Sequence, residues 1–180
     1  MSEHIRPPWD DYYMNIAWDV SIRSNCQRRP VGALIVIDRR IVSTGYNGTP
    51  FGVKNCNEGG CPRCASDAPR HQGYELCLCV HAEQNAVLLA ARQGTATDHA
   101  NLYVTLRPCL GCLKAQVQAG IREIIYDQPF DYNGEIEGTY QGLLAEAGVI
   151  MRQHPYSATH TLSPLAISAS QGSGPEMPAV

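Results

Sequence analysis

The sequence contains no run of about 18 apolar residues, so no transmembrane helix is expected. Residues 1–9 lack the apolar stretch of a secretory signal, and a cytoplasmic location follows by default. No block of lysine or arginine occurs, and the formal net charge is −3. That balance disfavours a chain built to grip a nucleic-acid backbone, which needs a basic stripe or patch. No stable nucleic-acid partner is therefore expected, although one small phosphate could still bind. No internal repeat is present. The composition, 44% hydrophobic and 17% charged over 180 residues, is ordinary for one compact globular domain.

Cysteine, by contrast, is abundant: eight occur. A disulfide framework needs an oxidising compartment, which nothing in the sequence supports. The spacings Cys61-x2-Cys64, Cys77-x-Cys79 and Cys109-x2-Cys112 suit metal ligands better.

Periodicity places the elements. Pro7 and Pro8 precede a helix over 9–24, with Asp10 and Asp11 in its first turn, where the helix dipole favours acids. The β-branched run 31–37, a short turn at 38–40 and a second strand over 41–46 read as a hairpin. Asn47-Gly48 and Pro50 end it with turn chemistry. The stretch 51–80 has little periodicity, yet holds five cysteines and His71. A loop of that length inside a compact domain needs a function or a clamp, and a bound metal would supply one. Helices follow over 81–92, 109–119 and 140–147, with strands over 102–106, 121–126 and 149–153. The order α-β-β-α-β-α-β-α-β implies parallel strands in the second half. The expected fold is thus α/β, a three-layer α/β/α sandwich on a mixed five-stranded sheet. Residues 1–156 form the expected domain. From Ser157 the composition turns to Ser, Thr, Pro, Gly and Ala, which reads as a mobile tail or a partner-docked arm.

Two short motifs carry chemistry: His81-Ala82-Glu83 and Pro108-Cys109-Leu110-Gly111-Cys112. One His and two Cys on zinc, with a nonligand Glu as acid/base, form the signature of zinc deaminases. A neutral imidazole and two thiolates balance the charge of Zn2+. Three protein ligands leave a fourth tetrahedral position for water, as catalytic zinc sites do. The metal lowers that water's pKa to about 7 in favourable sites and supplies hydroxide. Glu83, two positions after His81, would reach the water rather than the metal and move its proton. Cys109 and Cys112 share one face of a helix's opening turn, where the dipole favours thiolates. Either motif alone is weak; Pro-Cys-x2-Cys could be a structural zinc knuckle or a redox pair. Both in this order, each opening a helix, point to a deaminase.

At this point the chain resembles the deoxycytidylate deaminase family, from about Arg6 to Gln153. The similar stretches are Trp9-Asp10-x-Tyr12-Tyr13-Met14, Arg23-Ser24-x-Cys26, Val31-Gly32-Ala33 and Gly45-Tyr46-Asn47-Gly48-x-Pro50. They continue through His81-Ala82-Glu83-Gln84-Asn85-Ala86, Tyr103-Val104-Thr105 and Ala119-Gly120-Ile121. The resemblance implies the cytidine-deaminase-like sandwich and hydrolysis of dCMP to dUMP and ammonia, feeding dTMP synthesis. It also implies homo-oligomers, often hexamers, with dCTP as activator and dTTP as inhibitor. Asn47 would bind sugar or base. Arg92 falls at a position linked in relatives to subunit contact and effector response, or is simply a solvated helix end. Phosphate recognition needs a cation or helix N–H groups. Arg28, Arg29 and Lys114 are candidates by position, though each could be an ordinary surface cation. Phe130 stands where family members often carry Tyr, which leaves an aromatic lid without its hydroxyl.

Some relatives bind a second, structural zinc through positions that match Cys26, Cys56, His71 and Cys79. Such a site would pin the first helix, the post-hairpin loop and the start of the catalytic helix together. Cys61, Cys64 and Cys77 could replace one of those ligands or be free thiols. The expectation is one catalytic zinc and one structural zinc. Rival readings are a deaminase of another cytosine nucleotide or nucleoside, a tRNA adenosine deaminase, and a noncatalytic zinc-stabilised binding module. A purely structural zinc needs no adjacent acid/base, so Glu83 argues against the last.

Overall fold

A computed structural model describes residues 6–69 and 72–156. His71 and the expected tail from Ser157 lie outside the described residues. Among the described residues four helices, α1 (Trp9–Ser21), α2 (Ala82–Arg92), α3 (Leu110–Gln118) and α4 (Gly134–Ala147), accompany five strands. The strands are β1 (Gly32–Ile37), β2 (Arg40–Tyr46), β3 (Asn101–Leu106), β4 (Glu123–Gln128) and β5 (Ile150–Gln153). They form one sheet in the order β2-β1-β3-β4-β5. β1 is antiparallel to β2 and β3, whereas β3-β4-β5 run parallel, so the sheet is mixed as expected.

The hairpin closes through Asp38 and Arg39, whose φ values of 47° and 61° match the right-handed strand twist. Along β1 the side chains alternate between faces. Ala33 and Ile35 join Ala82 and Ala86 of α2, Leu113 of α3, and Tyr140 and Leu144 of α4 in one core cluster. Leu34 and Val36 pack with Tyr13, Met14 and Ala17 of α1 on the other face. The result is three layers, with α1 alone on one side. Polar bonds lock α1 to the sheet: Tyr103 Oη donates to Asp10 at 2.7 Å, and Trp18 Nε1 donates to Asp127 at 3.0 Å.

α2 lies unusually close to β2. A Cβ on Gly45 would fall 2.1 Å from the Ala82 carbonyl oxygen and 2.5 Å from the Ala86 nitrogen. Ser43 Oγ donates to the Ala86 carbonyl at 2.6 Å beside it. This approach fixes where the N-terminus of α2 points. The parallel crossovers then bring the start of α3 to the same end of the sheet. Among the described residues no helix is long and apolar enough to cross a membrane.

Candidate active site

His81 and Cys109 are the N-cap residues of α2 and α3. Both have extended backbones, with ψ of 155° and 163°, so each side chain projects from a helix start. Gln84 Oε1 accepts from the His81 N–H at 3.2 Å and fixes the entry into α2. The Cys109 sulfur accepts from the Cys112 N–H at 3.4 Å, which caps α3 and stabilises a thiolate. The two helix starts converge. His81 Nδ1 lies 3.3 Å from Cys112 Sγ and 3.5 Å from Cys109 Sγ. All three ligand atoms lie within 4.8 Å of one another.

The electrostatics of the group are coupled. Hydrogen bonding to Cys109 raises His81 to about 9. Hydrogen bonds from Cys112 and His81 lower Cys109 to about 4, while its bond to Cys109 and burial raise Cys112. Three donors therefore share protons in a site where a soft divalent cation can replace them. One imidazole nitrogen and two thiols, with a tetrahedral position left over, fit zinc by donor chemistry.

Glu83 is 4% exposed and stands beside this group. Burial raises its carboxyl pKa, partly opposed by the charge of His81. Gln116 of α3 reaches across and donates to the Glu83 carbonyl at 3.3 Å, tying the two helices at the acid. Tyr132 was not singled out by any sequence motif. Its hydroxyl accepts from the Leu110 N–H at 2.9 Å, directly at the start of α3. Phe130 packs edge-on against the Tyr132 ring at 5.0 Å. An aromatic pair thus stands over this end of α3, with the hydroxyl on residue 132 rather than 130.

Asn47 directly follows β2 and is 7% exposed. Its Oδ1 accepts from Ser24 Oγ at 2.7 Å and the Val31 N–H at 2.8 Å, and its Nδ2 donates to the Arg29 carbonyl at 2.8 Å. Gly48 pairs with Val80, the residue before His81, through bonds of 3.1 and 2.8 Å. The Asn47 segment is therefore tied to the start of the catalytic helix. The phosphate candidates differ. Arg28 spends its guanidinium on the carbonyls of Ala68, Arg63 and Ser66 at 2.8–3.0 Å. Arg29 donates to Gln128 Oε1. Lys114 is exposed on α3, and Arg92 is exposed at the end of α2.

Of the remaining six cysteines, five lie in the loop between β2 and α2, and Cys26, in the segment between α1 and β1, packs with them. Cys26, Cys56, Cys64 and Cys79 form one group with ligand atoms within 4.8 Å of one another. Three of these match the expected structural set, and Cys64 stands with them; the expected fourth ligand, His71, lies outside the described residues. Cys61, Cys64, Cys77 and Cys79 form another group at the same spacing. The sequence showed the thiols but not this grouping, since no periodic element sets their relative positions.

Comparison with known proteins agrees with this geometry. The family model described as the cytidine and deoxycytidylate deaminase zinc-binding region matches residues 7–128. Deoxycytidylate deaminase of Schizosaccharomyces pombe is 44% identical over 149 residues, covering 83% of this chain and 45% of that protein. The chain thus spans less than half the length of that relative. The deoxycytidylate deaminase of Mycobacterium phage D29 is 41% identical over 126 residues, covering 67% of this chain and 95% of the phage protein. In three dimensions the chain is similar to the dCMP deaminase of cyanophage S-TIM5 in complex with dCMP and dUMP. The TM-score is 0.64 at 32% identity, covering 84% of this chain and all of the phage chain (100%). On the family match, the identity to these relatives and the shared fold, the chain belongs to the cytidine and deoxycytidylate deaminase family.

Proposed function

We propose that the protein hydrolyses dCMP to dUMP and ammonia, supplying the precursor of dTMP. The observation that carries this is the buried Glu83 beside the His81–Cys109–Cys112 group where α2 and α3 converge. The relatives named as deoxycytidylate deaminases and the dCMP- and dUMP-bound phage structure favour the nucleotide as substrate. His81, Cys109 and Cys112 would hold the zinc, which supplies a water of lowered pKa at neutral pH. Glu83, its carboxyl pKa raised by burial, is suited to take up and give back a proton. It would carry a proton to the ring nitrogen and then to the departing amine. The C–N bond to the exocyclic amine breaks, a carbonyl takes its place, and ammonia leaves. Gln116 keeps the acid's backbone in place. Asn47 holds the 24–31 segment against the site, with one N–H of its amide remaining for the nucleoside.

The proposal extends to a cytoplasmic homo-oligomer, hexameric in the manner of its family, that responds to dCTP and dTTP. Thiolate ligands persist in a reducing compartment. Leu88 and Arg92, one turn apart, are both exposed on α2 and make a surface suited to a subunit contact.

The test is ammonia release on dCMP, CMP, deoxycytidine, cytosine and a tRNA anticodon stem-loop, each with and without dCTP. Turnover of dCMP above the others is expected. Glu83→Ala should lower it by about 10²–10⁴-fold while zinc content stays unchanged. Turnover of another substrate would keep the zinc chemistry and discard dCMP. Silence across the panel in zinc-loaded protein would leave a noncatalytic module.

A further inference from the structure

The six cysteines outside the active site do not make one four-ligand centre with two thiols left over. They make two four-thiol groups with two members in common, Cys64 and Cys79. Cys26 and Cys56 complete one group, and Cys61 and Cys77 complete the other. We propose that the loop between β2 and α2, together with Cys26 from the segment before β1, holds a binuclear zinc cluster in which the Cys64 and Cys79 thiolates bridge two tetrahedral ions.

The arrangement is that of two tetrahedra sharing an edge. A zinc–sulfur bond of about 2.3 Å gives a tetrahedral sulfur–sulfur edge of about 3.8 Å. Ligand atoms grouped within 4.8 Å reach that edge through small side-chain adjustments. Cys61 Sγ already lies 4.0 Å from Cys77 Sγ. Four thiolates close the coordination of each ion and leave no position for water, as structural sites require.

A single zinc accounts for the loop less well. It would take four of the six thiols and leave two more packed against a metal-bound sulfur. Cys56 and Cys61 are both fully buried, yet they belong to different groups. Any one-metal centre therefore strands a buried thiol beside it. With two ions, six thiolates leave a cluster charge of two negatives instead of four. Local donors suit that residue of charge. The Leu78 N–H points at Cys61 Sγ at 3.4 Å. Arg63, between Cys61 and Cys64 in sequence, is 6% exposed and lies 4.1 Å from the Tyr74 ring centroid. Arg28 clamps the carbonyls of Arg63, Ser66 and Ala68. Two cations from separate segments are thus held by the loop that carries the thiols.

The chemistry of the set selects the metal. Tetrahedral all-sulfur sites take zinc or iron–sulfur clusters. Iron–sulfur clusters hold their irons through inorganic sulfide with one set of four thiolates. Six thiols arranged as two overlapping quartets need no inorganic bridge.

The experiment is metal counting on the full chain, purified under reducing conditions and dialysed against metal-free buffer, with cadmium-113 NMR of protein exchanged with that isotope. Wild type should hold one zinc for each of the three groups. The cadmium form should show two all-sulfur resonances split by scalar coupling to each other through the shared sulfurs, and a third, uncoupled resonance. Cys61→Ser with Cys77→Ser should lose one zinc and abolish the splitting, leaving the other quartet loaded. Two zinc per chain in wild type, or two all-sulfur cadmium signals without mutual coupling, would overturn the proposal. So would a brown protein containing iron and sulfide, or a Cys61–Cys77 disulfide in the metal-loaded chain. The NMR result on wild type stands even where the double variant fails to fold.

Discussion

Asn47 shows how one side chain can serve both structure and a site. Its side-chain oxygen accepts two hydrogen bonds and its amide nitrogen donates one, all shared with the 24–31 segment that leads into β1. Asn47→Ala would leave the buried Val31 N–H and the Arg29 carbonyl without these partners. At about 1 kcal/mol per bond, with a further penalty for a stranded buried group, the loss should be about 2–4 kcal/mol. Urea denaturation should show a lower midpoint at an unchanged slope. A midpoint within error of wild type would mean that water replaces the amide, and that Asn47 serves ligands alone. The resemblance of the Gly45–Pro50 stretch made Asn47 legible as a site residue. Its structural bonds were not legible, because Ser24, Arg29 and Val31 are brought to it only by the β1–β2 pairing. Tyr132 escaped for the same reason: it meets Leu110 only after β4 has crossed to its place beside β3.

The elements divide in the same way. Short-range signals located the starts of α2 and α3 to within a residue, since His81 and Cys109 cap the helices they were expected to open. α1 ends at Ser21 rather than 24, where Ser21 Oγ bonds back to the Trp18 carbonyl at 2.6 Å and the chain turns towards Cys26. The larger difference is α4, which begins at Gly134 and not at 140. Gly134 and Gly138 weaken its first turns, so no local pattern marks them. A distant residue anchors them instead. Arg107, 6% exposed just after β3, donates to both carboxylate oxygens of Glu137 at 2.8 and 3.1 Å, and to the Phe130 carbonyl at 2.7 Å. It also stacks 4.2 Å from the centroid of the Tyr140 ring. Hydrogen bonds from Arg107, then from Gln141, lower Glu137 from 4.5 to about 2. A depressed carboxylate stabilises the fold fully above its ordinary pKa and loses that contribution as pH falls through its folded value. Stability from this pair should therefore fade between about pH 4.5 and about pH 2. Glu137→Gln should cost about 1–2 kcal/mol at neutral pH, discounted for the part exposure of Glu137, and flatten the acid limb of the stability curve in that window. An unchanged acid limb would show that other carboxylates set it.

At the scale of the whole molecule, two kinds of cohesion meet at the start of α2. The sheet and its helices are held by two apolar clusters that contain no cysteine. The segment between β2 and α2 is held otherwise. Among its described residues it contains only the short 3-10 turns Cys56–Glu58 and Tyr74–Leu76, and its own core is cysteine. Burial of thiols without ligation contributes little against the backbone entropy of some thirty residues (about 1–2 kcal/mol each). The segment's order should accordingly depend on metal, while the sheet should outlast metal removal as a separate cooperative unit. Treatment with a strong chelator under reducing conditions should leave most of the far-UV circular dichroism in place. Limited trypsin digestion should then cut after Arg63, which is buried and stacked on Tyr74, at least about tenfold faster than in the zinc-loaded protein. Added zinc should restore protection. Equal protection with and without metal would mean that the Arg28 bonds to Arg63, Ser66 and Ala68 and the Gly48–Val80 bridge hold the loop unaided. Collapse of the dichroism together with the cleavage would mean that loop and sheet fold as one unit. In that case the thiol cluster supports the active site by stabilising the whole chain, not by holding the residues just before His81.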